Sequence, residues 1–185
     1  MTRDEALAIL DDWVQESNLR KHMIAAEAIM GSLAQKFGED EDSWKLAGLL
    51  HDIDFEKTRD DPAKHGLMAA EFLSQNGLPE EVVQAIKAHN AEALGVERES
   101  RLDFALTCAE TITGLVVAAC LVLPDKRLAS LKPSSVRKRM KKKDFARSVS
   151  REDIMLCERL GLELDEFIEI SVRAMEGVAE ELGLG

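Results

Sequence analysis

The sequence predicts an all-α fold made of a single domain. Apolar residues recur at helical spacing along most of the chain, and no run of four to eight residues alternates as a half-buried strand would. Two Trp and six Phe are the only aromatic residues, and Tyr is absent. The core must therefore be built from Ala, Leu, Ile, Val and Met, which suit packed helices better than a β-sandwich. At 185 residues, such a chain needs no disulfide or metal merely to fold.

Start and stop signals predict the first three helices. Thr2 followed by Glu5 reads as a capping box, and it opens a helix that runs to about Val14. The second helix is predicted over about 18–37, where apolar residues form one continuous stripe. A third is predicted over about 43–52.

Prolines predict the starts of the next two helices. Asp61 is a favourable cap, and Pro62 is well suited to the first helical position, so a fourth helix is expected from there to Gly77. A fifth helix is expected to begin at Pro79 and to reach about Ala91.

The most apolar segment of the chain, residues 100–123, predicts a central helix. Pro124 and Pro133 bracket a loop, and a basic segment follows it. Two more helices are expected, one over about 150–161 and a final one over about 164–182.

Charge and composition bear on partners and compartment. The net charge of −11 disfavours non-specific attraction to nucleic acid or anionic lipid, so neither is an expected partner. The longest apolar run, residues 114–123, has about half the length that a membrane span needs, and the N-terminus lacks the apolar region of a signal peptide. Three scattered cysteines form neither a disulfide framework nor a metal clip, which favours the reducing cytoplasm: Cys108, Cys120 and Cys157.

The four histidines of the chain are the main evidence for chemistry. Each lies among the apolar residues of a different predicted helix, so each is expected to point toward the core: His22, His51, His65 and His89. A single core histidine is ordinarily satisfied by a backbone carbonyl, and that alternative applies to each of them. Burying four imidazoles in one small core is costly unless all find partners, and a shared metal site would provide them.

Two carboxylates strengthen the case for a metal. Asp52 directly follows His51, so the two side chains diverge by about 100° at a helix end and can grip one ion. Glu110 lies in the most apolar helix, where a carboxylate is rarely buried without a partner. The alternative for Glu110 is an ion pair with a Lys or Arg. Asp103, near the start of the same helix, competes with Glu110 but also suits a first-turn position.

These residues resemble the H…HD…D signature of the HD-domain metal-dependent phosphohydrolases. His22, the His51-Asp52 doublet and a downstream acid match its order, and the segment 49–71 is similar to the HDIG-type subgroup. The resemblance covers residues 18 to about 120. It implies a helical HD-domain core over 1–124, which carries the metal site, and a C-terminal helical extension over 125–185 packed on the same domain.

Two departures from the family pattern are informative. The last signature position is usually Asp, and the best match here is Glu110, which offers the same oxygen donor on a side chain one methylene longer. Phe55 stands where mononuclear nucleotidases of the family often have a water-orienting Glu. His65 and His89 resemble the additional ligands of the binuclear members, so the resemblance favours two ions.

The activity implied by the resemblance is hydrolysis of a small phosphomonoester or phosphodiester, nucleotide-like compounds included, by a metal-activated bridging water. One divalent transition metal ion (Fe, Mn, Zn, Ni or Co) would be held by His22, His51, Asp52 and Glu110, and a second by His65, His89 and bridging Asp52. Asp54 and Lys57 are candidates for a base and a phosphate contact beside catalytic Asp52; the alternative for both is a solvated loop.

Several alternatives stay open at this point. The same ligand set occurs in HD-fold mixed-valent di-iron oxygenases, and a non-catalytic module that senses a metal or ligand is a third function. Residues 132–147 hold eight basic residues and one acid, so they carry +7 and leave −18 on the rest of the chain. They either attract an anion to the active site, contact nucleic acid, or form a solvated helix face that pairs with the protein's own acidic surface. The apolar C-terminal helix could pack on its own chain or on a second subunit, which would make a homo-oligomer.

Overall fold

Helices account for 70% of the chain and no residue lies in a strand, which confirms the all-α prediction. The computed structural model describes residues 1–185. Seven α-helices precede the central one: α1 (Arg3–Trp13), α2 (Ser17–Phe37), α3 (Glu41–Leu50), α4 (Phe55–Thr58), α5 (Leu67–Gln75), α6 (Glu80–His89) and α7 (Ala91–Leu94).

The second part of the chain begins with the central helix and contains two short 3-10 helices, at Leu128–Ser130 and Leu156–Leu160. Its α-helices are α8 (Arg101–Leu121), α9 (Pro133–Met140), α10 (Arg151–Met155), α11 (Leu164–Gly177) and α12 (Ala179–Leu182). One hydrophobic core extends from Ala6 to Leu184, so residues on both sides of position 124 contribute to it.

Helix α8 is the centre of the packing. It contacts α2, α3, α6, α9, α10 and α11. By length and composition it is the one helix of the chain that could cross a membrane, but 72% of its most apolar stretch is buried inside the protein. Its apolar character is therefore accounted for by its central position in the core.

Close contact between α2 and α3 depends on a glycine. A Cβ atom added to Gly48 would lie 2.7 Å from the backbone nitrogen of Glu27 and 2.8 Å from the carbonyl oxygen of Ala26. Only glycine allows the two backbones to approach this closely. The approach matters for function because His22 lies on α2 and His51 directly follows α3.

The capping signal of the first helix was a good predictor of its start. Thr2 and Glu5 form the expected capping box at α1, and Ser100 forms one with Asp103 at α8. Helix α2 ends at Gly38, which has the left-handed φ of 69° that favours glycine.

The predicted start of the fourth helix at Asp61 and Pro62 is wrong. Residues 62–66 form turns, and α5 begins only at Leu67 after Gly66, whose φ is 84°. The carboxylate of Asp54 accepts hydrogen bonds from the backbone N–H groups of Gly66 (2.9 Å) and Ala69 (2.8 Å). A buried side chain from another part of the chain therefore caps this helix, and local preference for Pro at a first turn does not decide its start.

Four other elements differ from the prediction. The helix expected over about 150–161 is α10 followed by the 3-10 helix Leu156–Leu160. The fifth helix ends at His89, because Asn90 leaves the helical conformation and donates from its side chain to the carbonyls of Pro62 and His65. The final helix breaks after Gly177 into α11 and α12. The basic segment contains α9, which the sequence analysis did not predict. Pro133 in its first turn is a residue that favours a helix start there.

Candidate metal centre

The carboxylate of Asp52 lies among all four imidazoles of the chain. Its Oδ2 atom is 3.6 Å from Nε2 of both His22 and His51. Its Oδ1 atom is 3.2 Å from Nε2 of His65 and 3.4 Å from Nε2 of His89. Each carboxylate oxygen therefore faces one pair of histidines, and we call these five residues the imidazole cluster.

The cluster has two halves that share Asp52. In the first half, Nε2 of His22 lies 3.1 Å from Nε2 of His51. In the second half, Nε2 of His65 lies 3.0 Å from Nε2 of His89. Each half brings three ligand atoms, including one from Asp52, within 4.8 Å of one another.

In the first half, the other nitrogen of each ring is held by a neutral oxygen. Nδ1 of His51 donates to the carbonyl of Gly48 at 2.9 Å. Nδ1 of His22 lies 2.8 Å from the hydroxyl of Thr113, and that hydroxyl donates to the carbonyl of Glu110 at 2.6 Å. Because the Thr113 proton is already used, its oxygen accepts from His22.

In the second half, one of the two acceptors is a carboxylate. Nδ1 of His65 donates to Oδ1 of Asp54 at 2.9 Å, and Nδ1 of His89 donates to the carbonyl of Ile86. Asp54 is fully buried, and its other oxygen caps α5 as described above. Asp54 therefore orients His65 and fixes the start of the following helix at the same time.

These partners determine what the cluster can bind. A neutral imidazole that donates from Nδ1 presents an unprotonated Nε2, which is the form that ligates metals. All four Nε2 atoms converge on Asp52, and those of His22 and His51 lie 3.1 Å apart. When both rings are neutral and donate from Nδ1, the lone pairs of these two Nε2 atoms repel one another unless a cation lies between them. The donor set, imidazole nitrogen with carboxylate oxygen, fits divalent transition metals.

The pKa values of the cluster reflect the same concentration of lone pairs and negative charge. Burial lowers the pKa of His51 to about 3. Burial also acts to lower the pKa of His65, but hydrogen bonds to Asp52 and Asp54 outweigh it and raise that pKa to about 9. Burial alone would raise the pKa of Asp52, yet the surrounding imidazoles hold it well below its usual range.

Glu110 lies beside the first half of the cluster. Its Oε2 atom is 3.9 Å from Nε2 of His22, and its Oε1 atom accepts from the hydroxyl of Thr111 at 2.5 Å. No Lys or Arg forms an ion pair with it, so the alternative of a simple ion pair is wrong. Burial raises the pKa of the Glu110 carboxyl. Asp103, the competing candidate, instead accepts from backbone N–H groups in the capping box of α8.

The two residues beyond the doublet differ from each other. A solvated loop is wrong for Asp54, which is buried with both oxygens engaged, and this geometry makes it a positioning residue for His65 instead of a base that faces substrate. The structure does not bring Lys57 to the cluster. Its ammonium lies 3.3 Å from the centroid of the Trp13 ring, and its side chain is exposed.

Sequence reasoning missed the groups that hold the rings. The carbonyls of Gly48 and Ile86 each lie three residues before the histidine that they bind, at the end of a helix, which is a local pattern. No local signal marks Thr113, because its contact with His22 spans 91 positions of sequence.

The comparison with protein families agrees with this geometry. Residues 19–117, just over half of the chain, match the family model described as the HD domain. The chain belongs to the HD domain family. The matched residues include most of α2, all of α3 to α7, most of α8 and the His51-Asp52 doublet. Membership places this HD-domain protein in the superfamily of metal-dependent phosphohydrolases.

Several curated relatives are named ribonuclease Y. That of Lawsonia intracellularis is 31% identical over 117 residues, which cover 62% of this chain and 22% of that protein. That of Nitratiruptor sp. is 29% identical over 139 residues, 73% of this chain and 26% of that protein. The chain therefore spans only about a quarter of these relatives' length. No solved structure matches it.

Proposed function

We propose that this HD-domain protein is a binuclear metal-dependent phosphohydrolase that cleaves phosphodiesters or phosphomonoesters. The observation that carries the proposal is the convergence of four Nε2 atoms on the two oxygens of Asp52, with every Nδ1 atom held by an oxygen from outside the cluster. A site preorganised from both sides of each ring suits metal ligation better than a set of ordinary core histidines.

Each residue of the cluster has a stated part in this proposal. His22, His51 and Asp52, with Glu110, would hold one ion, and His65, His89 and Asp52 the other. When bound, two divalent ions of iron, manganese, zinc, nickel or cobalt would activate water and neutralise charge on phosphoryl oxygens. Asp54 keeps His65 in the ligating orientation, and Thr113 does the same for His22. Because Nδ1 of His65 is bonded to the buried carboxylate of Asp54, the ring of His65 cannot rotate freely.

The open side of the cluster indicates where substrate enters. His22 is 24% and Glu110 22% exposed, whereas His51 is fully buried. A polar cavity of about 290 Å³ is lined by His22 and Glu110 together with Thr111, Ser148 and Asp153. A second, more apolar cavity of about 510 Å³ meets it at His22, Thr113 and Gly114. The scissile phosphate would lie at His22, with the organic part of the substrate in one of these cavities.

The substrate class follows partly from the relatives. Our expectation from net charge was that nucleic acid is not a partner, and the name ribonuclease on the matching relatives goes against it. A net charge averages over the whole molecule, so it does not describe the surface around one site. We therefore include the phosphodiesters of RNA among the proposed substrates.

The test uses the whole chain with a panel of divalent metals. Purified protein is loaded with Fe²⁺, Mn²⁺, Zn²⁺, Ni²⁺ or Co²⁺ and assayed on bis(p-nitrophenyl) phosphate and on a short oligoribonucleotide. We expect turnover that Asp52→Asn lowers by more than about a hundredfold, because loss of a ligand shared by both ions exceeds the loss of a supporting partner. Elemental analysis should show that the variant holds less metal.

A matched control separates this effect from unfolding. Asp42 is an exposed Asp in the first turn of α3, and Asp42→Asn should leave turnover and metal content unchanged. Absence of phosphoester cleavage with every metal would contradict the proposal. Substrate-dependent O₂ uptake by the iron form would instead identify an oxygenase, and tight metal binding with neither activity a sensing module.

A further inference from the structure

The basic segment, residues 132–147, is the part of the molecule that the proposed chemistry leaves unexplained. It carries eight basic residues and one acid, +7 in total, on a chain whose net charge is −11. The other 169 residues therefore carry −18. Such a separation of charge creates a local positive field that the net charge hides.

The cations of the segment are not neutralised by the protein's own acids. Arg137 is the one residue of the eight that forms an ion pair, with Asp165 at 2.7 Å. The expectation that the segment pairs with the acidic surface is therefore wrong for most of it. Six basic residues are exposed and lie in no ion pair: Lys132, Lys138, Lys141, Lys142, Lys143 and Arg147.

The segment is held in place by the fold. Val136 and Met140 of α9 are buried in the core, so the charged face of that helix is turned to solvent. The guanidinium of Arg151 then donates to the carbonyls of Ala146 and Val149, both at 2.7 Å, and to those of two earlier residues of the turn. An ordered backbone presents these cations at a lower entropic cost than a flexible tail would.

The basic segment leads directly to the open side of the metal centre. Ser148, Val149 and Ser150, which follow Arg147 in the chain, line the same polar cavity as His22 and Glu110. Val149 packs on Gly114 of α8, where an added Cβ would lie 3.0 Å from its Cγ2 atom. The chain thus passes from the last cation to the cavity wall within one residue.

We propose that the basic segment binds the phosphates of an RNA strand and delivers that strand to the metal centre. The inference rests on the proposed function, because a row of phosphates entering the cavity is useful only if a phosphodiester is cleaved there. RNA is favoured over a lipid surface because the apolar residues of α9 are buried and cannot insert. Phe145, the one aromatic residue of the segment, is half-buried beside the Arg139 guanidinium, so binding should be independent of base sequence.

The experiment measures RNA binding and cleavage in matched charge-reversal variants. Lys142→Glu with Lys143→Glu changes the segment, and Lys126→Glu with Arg127→Glu makes the same change of charge at exposed residues outside it. Affinity for a labelled 12-nucleotide RNA is measured by fluorescence anisotropy between about 50 and 200 mM KCl, where phosphate contacts dominate the salt dependence. Hydrolysis of bis(p-nitrophenyl) phosphate is followed in parallel.

We expect the segment variant to bind RNA at least about tenfold more weakly and to lose about 0.7 from the log–log salt slope for each phosphate contact removed. Its KM for RNA should rise while hydrolysis of the small diester is unchanged. Equal weakening in the control pair, or binding of anionic phosphatidylserine vesicles without binding of RNA, would overturn the inference. If RNA binding depends on the segment but no diester is cleaved, the proposed function fails and the binding surface stands.

Discussion

The two halves of the imidazole cluster use the same ligands but hold them differently. In the first half, Thr113 and the carbonyl of Gly48 accept from the rings, and both are neutral. In the second half, the buried carboxylate of Asp54 accepts from His65. The pKa of His51 falls to about 3, whereas that of His65 rises to about 9.

This difference shows how a protein can make two unequal cation sites from two pairs of histidines that share one aspartate. Full burial disfavours the imidazolium form of His51 even beside Asp52, whereas hydrogen bonds to two carboxylates favour that of His65. The second half therefore attracts positive charge more strongly, whether that charge is a proton or a metal ion. The first half lies at the open cavity, where the substrate would arrive. We expect the second half to be the tighter site at alkaline pH and the first half to meet the substrate.

The largest effect on this asymmetry should come from Asp54→Asn. The amide cannot supply the negative charge that faces His65, and partners of this kind are worth about 10–100-fold in metal affinity. We expect metal content to fall from two ions to about one, measured by elemental analysis after dialysis. Asp60→Asn, a change at an exposed residue nearby in sequence, is the control; equal loss in both variants would mean that Asp54 has no special role.

A smaller effect is expected from Thr113→Val, which removes the neutral acceptor of His22 and keeps the side-chain shape. The ring of His22 is then free to rotate, and the first half should lose about tenfold in metal affinity, the lower end of the range for such partners. Thr113→Ser keeps the hydroxyl and should restore most of it. Titration with Co²⁺, followed by its visible absorption, distinguishes the two variants. If Thr113→Val and Thr113→Ser change the metal affinity equally, the hydrogen bond does not position His22.

The smallest effect concerns protons released when metal binds. His65, with a pKa of about 9 in the metal-free protein, is protonated at pH 7, so loading the second half should release about one proton. His51, with a pKa of about 3, is already neutral and should release none. The contribution of His65 to metal affinity should therefore rise with pH up to about 9, while that of His51 does not change above about pH 3.

Calorimetric titration at pH 7 in two buffers of different ionisation enthalpy measures this release. Two sites with equal proton release would contradict the asymmetry. The folding stability of the metal-free protein should change with pH in the opposite direction to its metal affinity. The raised pKa of His65 stabilises the fold fully below about pH 6.5, and that contribution is lost as the pH rises toward 9. Its melting temperature should fall over this interval and fall less in Asp54→Asn.

Local signals predicted the parts of the fold that local chemistry controls. The capping box at Thr2 depends on contacts within a few residues, and it is where the sequence indicated. The box at Ser100 and the left-handed Gly38 are equally local, and they lie at the predicted start of the central helix and just after the predicted end of the second helix. The start of α5 was wrong because Asp54 reaches it from 12 and 15 positions earlier in the chain. When the capping side chain comes from a distant part of the sequence, the first residues of the helix do not predict where it starts.

The residues of the metal centre were also predictable only in part. Sequence alone determined the all-α class and the family, and it singled out four histidines, Asp52 and Glu110, because buried polar side chains on apolar helix faces need a common partner. Only the tertiary structure decided that Asp52 lies between two pairs of imidazoles and that Asp54 accepts a hydrogen bond from His65. It also decided that Lys57 packs on Trp13 instead of the cluster, and that the basic segment ends at the cavity. Those facts depend on atoms far apart in sequence, whose distances are set by how the helices pack, including the close approach at Gly48.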